Sequence, residues 1–402
     1  MVVVVNGRPV IKEVFLKRAN EFDRRPRGYN VISWLTDGMG FAQENRITWE
    51  EQRSFFTEAV KSAGLGKPEL EKRIQDEIRL MLDEFRHSQQ PIELHTYVSR
   101  TMGRIISHVL FNRTFTKDKG FDELLVALKE VSSVLGGKTS IIVGFLFRLK
   151  VMFSEEMRAV QNSRDTARRI VNRWIREEIN NSTPSTSEGY VGAYLQHRKN
   201  LMKERDDEGS FTIKRLEANT MNLLLEGTET VSQTATSMLM ELSKHQDVQV
   251  ALHEELDAAV GKDRLLTWSD KENLPNLDST IQELYRVASP FLITRFVSNL
   301  KETRIDGYLV PRNSLICANL ASIHFDPEIH PHPEKFDPKR FLDENGKKMS
   351  KEGPYPFGLG KRSCIGESLA EMEVFLVIGA ILQNFKIIPG RQKGTLNFLP
   401  RQ

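Results

Sequence analysis

The stretch "PFGLGKRSCIGESLAEMEVFLVIGAIL", residues 356–382, holds one of only two cysteines in a chain of 402 residues, and its reading decides the fold. Gly358 and Gly360 precede Cys364, and an amphipathic helix is expected from about Ile365. That order places a thiol at a helix amino terminus, where backbone N–H groups, the helix dipole and the nearby Lys361 and Arg362 favour the thiolate. A thiolate is a nucleophile or a metal ligand. Gly358, Gly360 and Gly366 let backbone approach something flat and bulky without Cβ obstruction, which a small nucleophilic site does not need. A buried structural cysteine is the plainer alternative. Phosphate-loop readings fail, because a Walker loop needs glycine where Tyr355 stands and Ser or Thr where Arg362 stands; the dinucleotide pattern breaks at Ser363.

Working outward, 39% hydrophobic and 28% charged residues describe a globular chain able to bury a large core. Length alone suggests two or three domains, yet no Gly/Ser-rich, Pro-rich or charge-block linker divides the chain, so a single domain over 1–402 is expected. A net charge of +3 is too mild to imply nucleic acid as a partner. With Cys317 and Cys364 as the only thiols there is no disulfide framework, which fits a reducing, cytosol-facing environment. Cys317, inside the apolar run "SLICANL", reads as a core thiol. The opening "MVVVV" begins at once as a strand, with neither a charged leader nor the ~20 apolar residues of a membrane span. The expectation is a chain that starts part-way into a fold.

Most of the sequence has helical periodicity. Residues 64–88 and 248–261 repeat apolar side chains at steps of three and four. The stretch 211–245 contains no proline, is apolar over much of its surface, and is expected to be a long core helix. Short strands are expected at "VVVV", "ITRFVSNL", "RIDGYLVP" and "SLICAN". Residues 324–360, full of Pro, Gly, Asp and His, should form a long ordered coil over the surface; loops of that length are usually functional. His324, His330 and His332 with Asp326 and Glu334 suggest zinc, but the prolines between them favour a plain loop.

"FGLGKRSCIG", Phe357 to Gly366, resembles the haem-ligand loop of the cytochrome P450 superfamily at all of its defining positions. Other motifs of that family follow in the right order. "WEEQR" supplies Trp49 and Arg53, "EGTET" lies in the long helix, "ELYR" supplies Glu283 and Arg286, and "FDPKRF" supplies Arg340. Singly they mean little, since Glu and Arg at i, i+3 stabilise any helix by a few tenths of a kcal/mol. The likeness covers essentially the whole chain and is nearest to the animal microsomal branch that oxidises drugs, steroids and fatty acids.

The resemblance implies a mainly α fold with small β-sheets, with haem between the long central helix and the cysteine loop. It implies haem b with Cys364 as axial thiolate, Phe357, Gly358 and Gly366 against the cofactor, and Trp49, Arg53, Arg295 and Arg362 on its propionates. Gly227 and Thr230 suit a local break in the long helix that admits O₂, with Thr230 and Glu229 delivering protons. Glu226 departs from the animal branch, which has Ala or Gly there. In the fatty-acid ω-hydroxylases a Glu at this position esterifies a haem methyl, so covalent attachment and a charged pocket group both stay open. The implied activity is insertion of one atom of O₂ into an apolar small molecule, with electrons from an NADPH-dependent flavoprotein reductase and cytochrome b5 as a further partner. The implied location is the cytosolic face of the endoplasmic reticulum membrane, although the family's amino-terminal anchor and first helix are not in this sequence. The carboxyl end, 391–402, is short for the family's last hairpin. Substrate-pocket residues are expected within 28–45, 125–150, 218–231 and 289–294. Two competing readings are a haem-binding relative without turnover and a cysteine-nucleophile enzyme, the latter lacking a His placed to act as base.

Overall fold

The structure is a computed structural model that describes residues 1–26, 31–88, 92–115, 118–136, 155–181, 189–349, 353–392 and 394–401. The expected pocket stretches at 28–30 and 137–150 lie outside the described residues. In chain order the helices are α1 (Arg8–Lys12), α2 (Val31–Leu35), α3 (Arg46–Ser62), α4 (Pro68–His87), α5 (Leu94–Phe111), α6 (Lys119–Gly136) and α7 (Glu155–Asn181). There follow α8 (Tyr190–Arg205), α9 (Ile213–Leu225), α10 (Val231–Leu242), α11 (Gln246–Ala259), α12 (Pro275–Val287), α13 (Ala321–His324) and α14 (Glu367–Asn384). Two π-turns, Glu13–Lys17 after α1 and Glu226–Thr230 between α9 and α10, interrupt this pattern. The strands are β1 (Val2–Val5), β2 (Val297–Ser298), β3 (Thr303–Ile305), β4 (Tyr308–Val310), β5 (Leu315–Ala318), β6 (Phe385–Pro389) and β7 (Leu396–Pro400). The chain is therefore mainly helical with small sheets, as the sequence implied.

Two compact units make up the chain. The first comprises Met1–Asp23, Glu71–Thr101 and Val231–Gln402. Its sheet runs β1-β5-β2, with β1 parallel to β5 (Val3 opposite Ile316) and β2 antiparallel to it (Val297 opposite Ile316). Of the four expected strands, "VVVV" and "SLICAN" form, "ITRFVSNL" narrows to Val297–Ser298 with a single bridge at Ile293, and "RIDGYLVP" is not one strand but turns at Asp306–Gly307, so that β3 and β4 pair as a hairpin with Ile305 opposite Tyr308. The carboxyl end does make a hairpin, β6 with β7, in which Ile387 faces Phe398. Val5, Ile11, Val14, Phe15, Val297, Ile316 and Ile323 form a core, and Leu359, from the cysteine loop, is part of it.

Helix α14 corrects one expectation. It starts at Glu367 rather than Ile365, a shift within the usual fraying of helix ends. More importantly it is not amphipathic, since every residue from Met372 to Gln383 is buried. A helix that is apolar all round belongs inside the core, which fixes the segment that follows Cys364 more firmly than a surface helix would.

The second unit comprises Arg24–Leu70 and Met102–Thr230. Its polar centre is Asn219 on α9, fully buried and fully used. Its Oδ1 accepts from the Phe41 N–H at 2.9 Å, and its Nδ2 donates to Gln52 Oε1 and to Tyr190 Oη, both at 2.9 Å. Gln52 in turn donates to the carbonyl and hydroxyl of Ser210 at 3.1 Å. α3, α8 and α9 are thereby locked at one point, because a buried amide left without these partners costs about 1–3 kcal/mol.

Candidate functional site

The cysteine loop lies in the first unit and is shaped by close backbone contacts. Gly358 and Gly360 have φ of 74° and 79°, values that L side chains rarely adopt. At Gly360 the requirement is absolute, because a Cβ would stand 1.9 Å from the Phe15 carbonyl oxygen. This corrects the sequence reading of Gly360. The close approach it permits is to the protein's own π-turn at Glu13–Lys17, not to a ligand. Leu359 anchors the same loop in the core, and the Cys364 N–H donates to the Phe357 carbonyl at 2.9 Å, closing the loop on itself. Arg362 Nε donates to the Asp23 carbonyl at 2.6 Å, which restrains one side of its guanidinium. Arg295 is exposed two residues before β2.

The two thiols differ in kind. Cys364 is exposed just ahead of α14. Cys317 is 1% exposed on the central strand β5, its Sγ 3.9 Å from the Val3 carbonyl, and burial pushes its pKa up to about 11. A thiol so placed stays protonated and is a core residue, as its apolar run suggested.

Glu283 and Arg286 are both 0% exposed on α12 and meet through paired bonds of 2.8 Å, Arg286 Nε to Oε2 and its terminal nitrogen to Oε1. Arg340 Nε and the Asp337 N–H also donate to Oε1, at 3.0 and 2.9 Å. The remaining guanidinium hydrogens reach the carbonyls of His324, Pro333 and Lys335. Both carboxylate oxygens of Glu283 accept, two guanidinium groups share its charge, and all five guanidinium hydrogens of Arg286 find acceptors, the kind of arrangement in which a buried ion pair is tolerable. The residues between 324 and 340 are thus wound around α12. His324 and His330 are buried there rather than exposed on a surface coil, and the His324 ring accepts from the Tyr355 N–H at 3.0 Å. Among the described residues no group of His, Cys, Asp and Glu is arranged to hold a metal ion.

The remaining candidates lie in the second unit. α9 begins with Thr212 as its N-cap, and the helical ladder runs to Leu225 before Glu226–Thr230 widens into a π-turn. The Thr230 hydroxyl donates to the Glu226 carbonyl at 2.6 Å, the back-bond that bends helices and accompanies such a turn. Gly227 has a packing reason as well: a Cβ there would stand 2.7 Å from Ile106 Cγ1 on α5. Thr228 and Glu229 are buried, while Glu226 and Thr230 are half-buried. Trp49 is buried and Arg53 half-buried, one turn apart on α3, the helix that Gln52 pins to Asn219 of α9.

Does this set suit a flat macrocycle held by a thiolate? Around the sulfur it does. A Cβ on Gly366 would meet only Cys364 Sγ, at 4.0 Å, whereas Gly227 and Gly360 face their own packing. Room beside an exposed sulfur on a rigid loop is what a ring seated on that sulfur needs. Sequence reasoning passed over Tyr285, an unspecified position inside "ELYR" whose ring stands 5.5 Å from that of Phe357, and Glu373, buried on α14; only the folded structure marks them.

Comparison with known proteins agrees with the geometry. The family model described as "Cytochrome P450" matches residues 1–401. Among curated proteins, "Cytochrome P450 2J5" of Mus musculus is 31% identical over 391 residues, covering 96% of this chain and 77% of that protein. "Cytochrome P450 2H2" of Gallus gallus is 29% identical, covering 99% of this chain and 81% of that protein. "Cytochrome P450 2A3" of Rattus norvegicus is 30% identical, covering 96% and 78%.

Proposed function

The chain belongs to the cytochrome P450 family, a family of haem monooxygenases with a cysteine thiolate as axial ligand, and on that premise we propose that Cys364 is the ligand and that the substrate is an apolar xenobiotic, steroid or fatty acid. The single observation that carries the residue assignment is the loop itself: Gly358 and Gly360 at positive φ, Leu359 in the core, and an exposed Cys364 closed back on Phe357. Cys317 is buried and held protonated.

Haem b held by thiolate supplies oxygen activation, since electron donation from sulfur favours O–O cleavage. The protein's own residues do the rest. Trp49, Arg53, Arg295 and Arg362 hold the propionates, arginine being suited to it because its fork binds carboxylate in two places. Phe357, Gly358 and Gly366 shape the seat beside the sulfur. Thr230, donating to the Glu226 carbonyl, can accept at the same oxygen and so hold a proton donor in the π-turn, with Gly227 and the buried Glu229 beside it. Glu226 polarises the same turn. Glu283, Arg286 and Arg340 keep the coil in place and take no part in chemistry.

The electron donor in this reading is an NADPH-dependent flavoprotein reductase, with cytochrome b5 as a second donor, at the cytosolic face of the endoplasmic reticulum, and residues 1–402 act as one haem-thiolate domain. No described helix is long and apolar enough to cross a membrane. The test is to reconstitute the protein with haem, reductase and NADPH. A long-wavelength Soret band in the reduced, carbon monoxide-bound form together with NADPH-dependent hydroxylation of an apolar substrate is expected. The band without any oxygenated product would select a haem-binding relative without turnover.

A further inference from the structure

The π-turn at Glu13–Lys17 stands in the first unit, against the cysteine loop. Turns of this kind are rare and are found mostly where function needs the backbone displaced. The Arg18 N–H closes it by donating to the Glu13 carbonyl at 2.9 Å. The turn carries the Phe15 carbonyl to Gly360, the contact that leaves no room for a Cβ. The same stretch of chain meets the loop again at Asp23. Its carbonyl accepts from Arg362 Nε at 2.6 Å, and its carboxylate lies 3.9 Å from Lys361 Nζ. Gly360, Lys361 and Arg362 therefore rest in succession on one segment, residues 13–23.

Arg18 holds that segment in place, and all five of its guanidinium hydrogens have acceptors. Nε and one terminal nitrogen grip the two oxygens of Glu21, at 3.0 and 2.7 Å. That terminal nitrogen also donates to the Thr303 hydroxyl on β3. The other donates to Glu13 Oε1 at 3.2 Å and to the Arg304 carbonyl, also on β3, at 2.7 Å. The guanidinium carbon lies 5.1 Å from the centre of the Phe22 ring. One side chain thus joins the start of the π-turn, the turn that follows it and β3. A planar fork with fixed donors can do this, whereas a lysine, a point charge on a flexible stem, cannot. The carboxylates of Glu13 and Glu21 are exposed, so the ion pairs add little to global stability. What Arg18 fixes is position.

We propose that Arg18 is a positioning residue for the thiolate: by fixing residues 13–23 on β3 it keeps the Phe15 carbonyl and Asp23 against Gly360, Lys361 and Arg362, and so holds still the loop that carries Cys364. This rests on Cys364 being the ligand. Groups that touch no metal themselves orient the ligands that do. A residue that only stabilised the fold would lower the unfolding temperature and leave the ligation as it was.

The test uses the haem-loaded protein. In urea below the unfolding transition, the reduced, carbon monoxide-bound form of Arg18→Gln should lose its long-wavelength band to a shorter-wavelength one roughly tenfold faster than wild type, the size expected for one lost hydrogen bond to a charged group. Hydrogen exchange read by mass spectrometry should also quicken over 356–366, where the N–H groups of Gly358, Ser363 and Cys364 donate to the carbonyls of Tyr355, Gly360 and Phe357. Arg18→Lys should behave like Arg18→Gln, because the fork and not the charge is required. Arg173→Gln, which removes ion pairs to Asp118 and Glu177 in the second unit, should alter neither readout. If Arg18→Gln does not load haem, Glu21→Gln, which leaves the fork and weakens its grip, should show the same band loss to a smaller extent. Wild-type band lifetime and wild-type exchange over 356–366 in haem-loaded Arg18→Gln, or in Glu21→Gln where that variant stands in, overturn the proposal and leave Cys364 as ligand. A wild-type protein that takes up haem without the long-wavelength band overturns both readings, so the two failures are distinguishable.

Discussion

At the scale of single residues the two cysteines divide cleanly. Cys364 is exposed on a loop whose backbone is fixed by Gly358, Gly360 and Leu359; Cys317 is sealed in β5. Cys364→Ala or Cys364→His should therefore abolish the long-wavelength carbon monoxide band and all oxygenation, while Cys317→Ala leaves both intact. Retention of the band in a Cys364 variant would move the ligand elsewhere. Thr230 makes the back-bond to Glu226, and its loss should misdirect protons more than it slows electron uptake. For Thr230→Ala the expected result is a product rate lower by on the order of 100-fold, the smaller end of general acid–base contributions, with NADPH still consumed and peroxide formed. Equal product per NADPH in variant and wild type removes Thr230 from proton delivery. Glu226 tests the link to the ester-forming branch. Denaturing chromatography after turnover with reductase and NADPH separates the two alternatives: haem absorbance on the polypeptide peak of the wild type but not of Glu226→Ala selects esterification. Complete release of haem from the wild type leaves Glu226 a polar group of the π-turn only.

At the scale of elements, α12 organises the coil that follows β5. Glu283 accepts from Arg286, Arg340 and the Asp337 N–H, and Arg286 holds three carbonyls of the same coil. Removing one partner leaves the other charges buried and uncompensated, at about 3–5 kcal/mol. Glu283→Ala should accordingly yield protein that retains no haem, read from the ratio of Soret to protein absorbance. A soluble Glu283→Ala protein with full haem content would make the triad dispensable. The long helix shows the same dependence on elements around it. Gly227 is required by Ile106 of α5, and the π-turn is set where α9 must accommodate that contact and the Thr230 back-bond.

At the scale of the molecule, burial of ionisable groups ties stability to pH. His324 is buried beside Arg286 and His330, and burial first, then those two groups, lower its pKa from 6.5 to about 4. The unfolded chain takes up the proton more readily than the folded one. The stability that neutral His324 contributes is therefore complete above 6.5 and is lost as the pH falls through about 4. A difference of that size corresponds to about 3 kcal/mol as an upper bound. Thermal unfolding of the haem-loaded protein between those limits should be steeper in pH for the wild type than for His324→Gln, whose amide oxygen can still accept from the Tyr355 N–H. Identical slopes would show that the imidazole is already charged in the folded protein.

Local chemistry by itself determined the family, the helical class and the pairing of Glu283 with Arg286, because each depends on residue types at short fixed spacings: three glycines, an arginine and a cysteine within Phe357–Gly366, apolar residues at helical steps, an acid and a base one turn apart. The back-bond of Thr230 was legible for the same reason, since it spans four residues of one helix. What depends on distant partners was not legible. Gly360 is demanded by the carbonyl of Phe15, far earlier in the chain, α14 is buried on every side only because other elements surround it, and Asn219 reads as a polar position until Phe41, Gln52 and Tyr190 close on it. Tyr285 and Glu373 belong to the same class: only the packing of α12 and α14 turns two ordinary side chains into buried groups, each with a polar atom that has no hydrogen-bond partner among the described residues. Burial and proximity are properties of the folded surface, and a chain read one residue after another does not contain them.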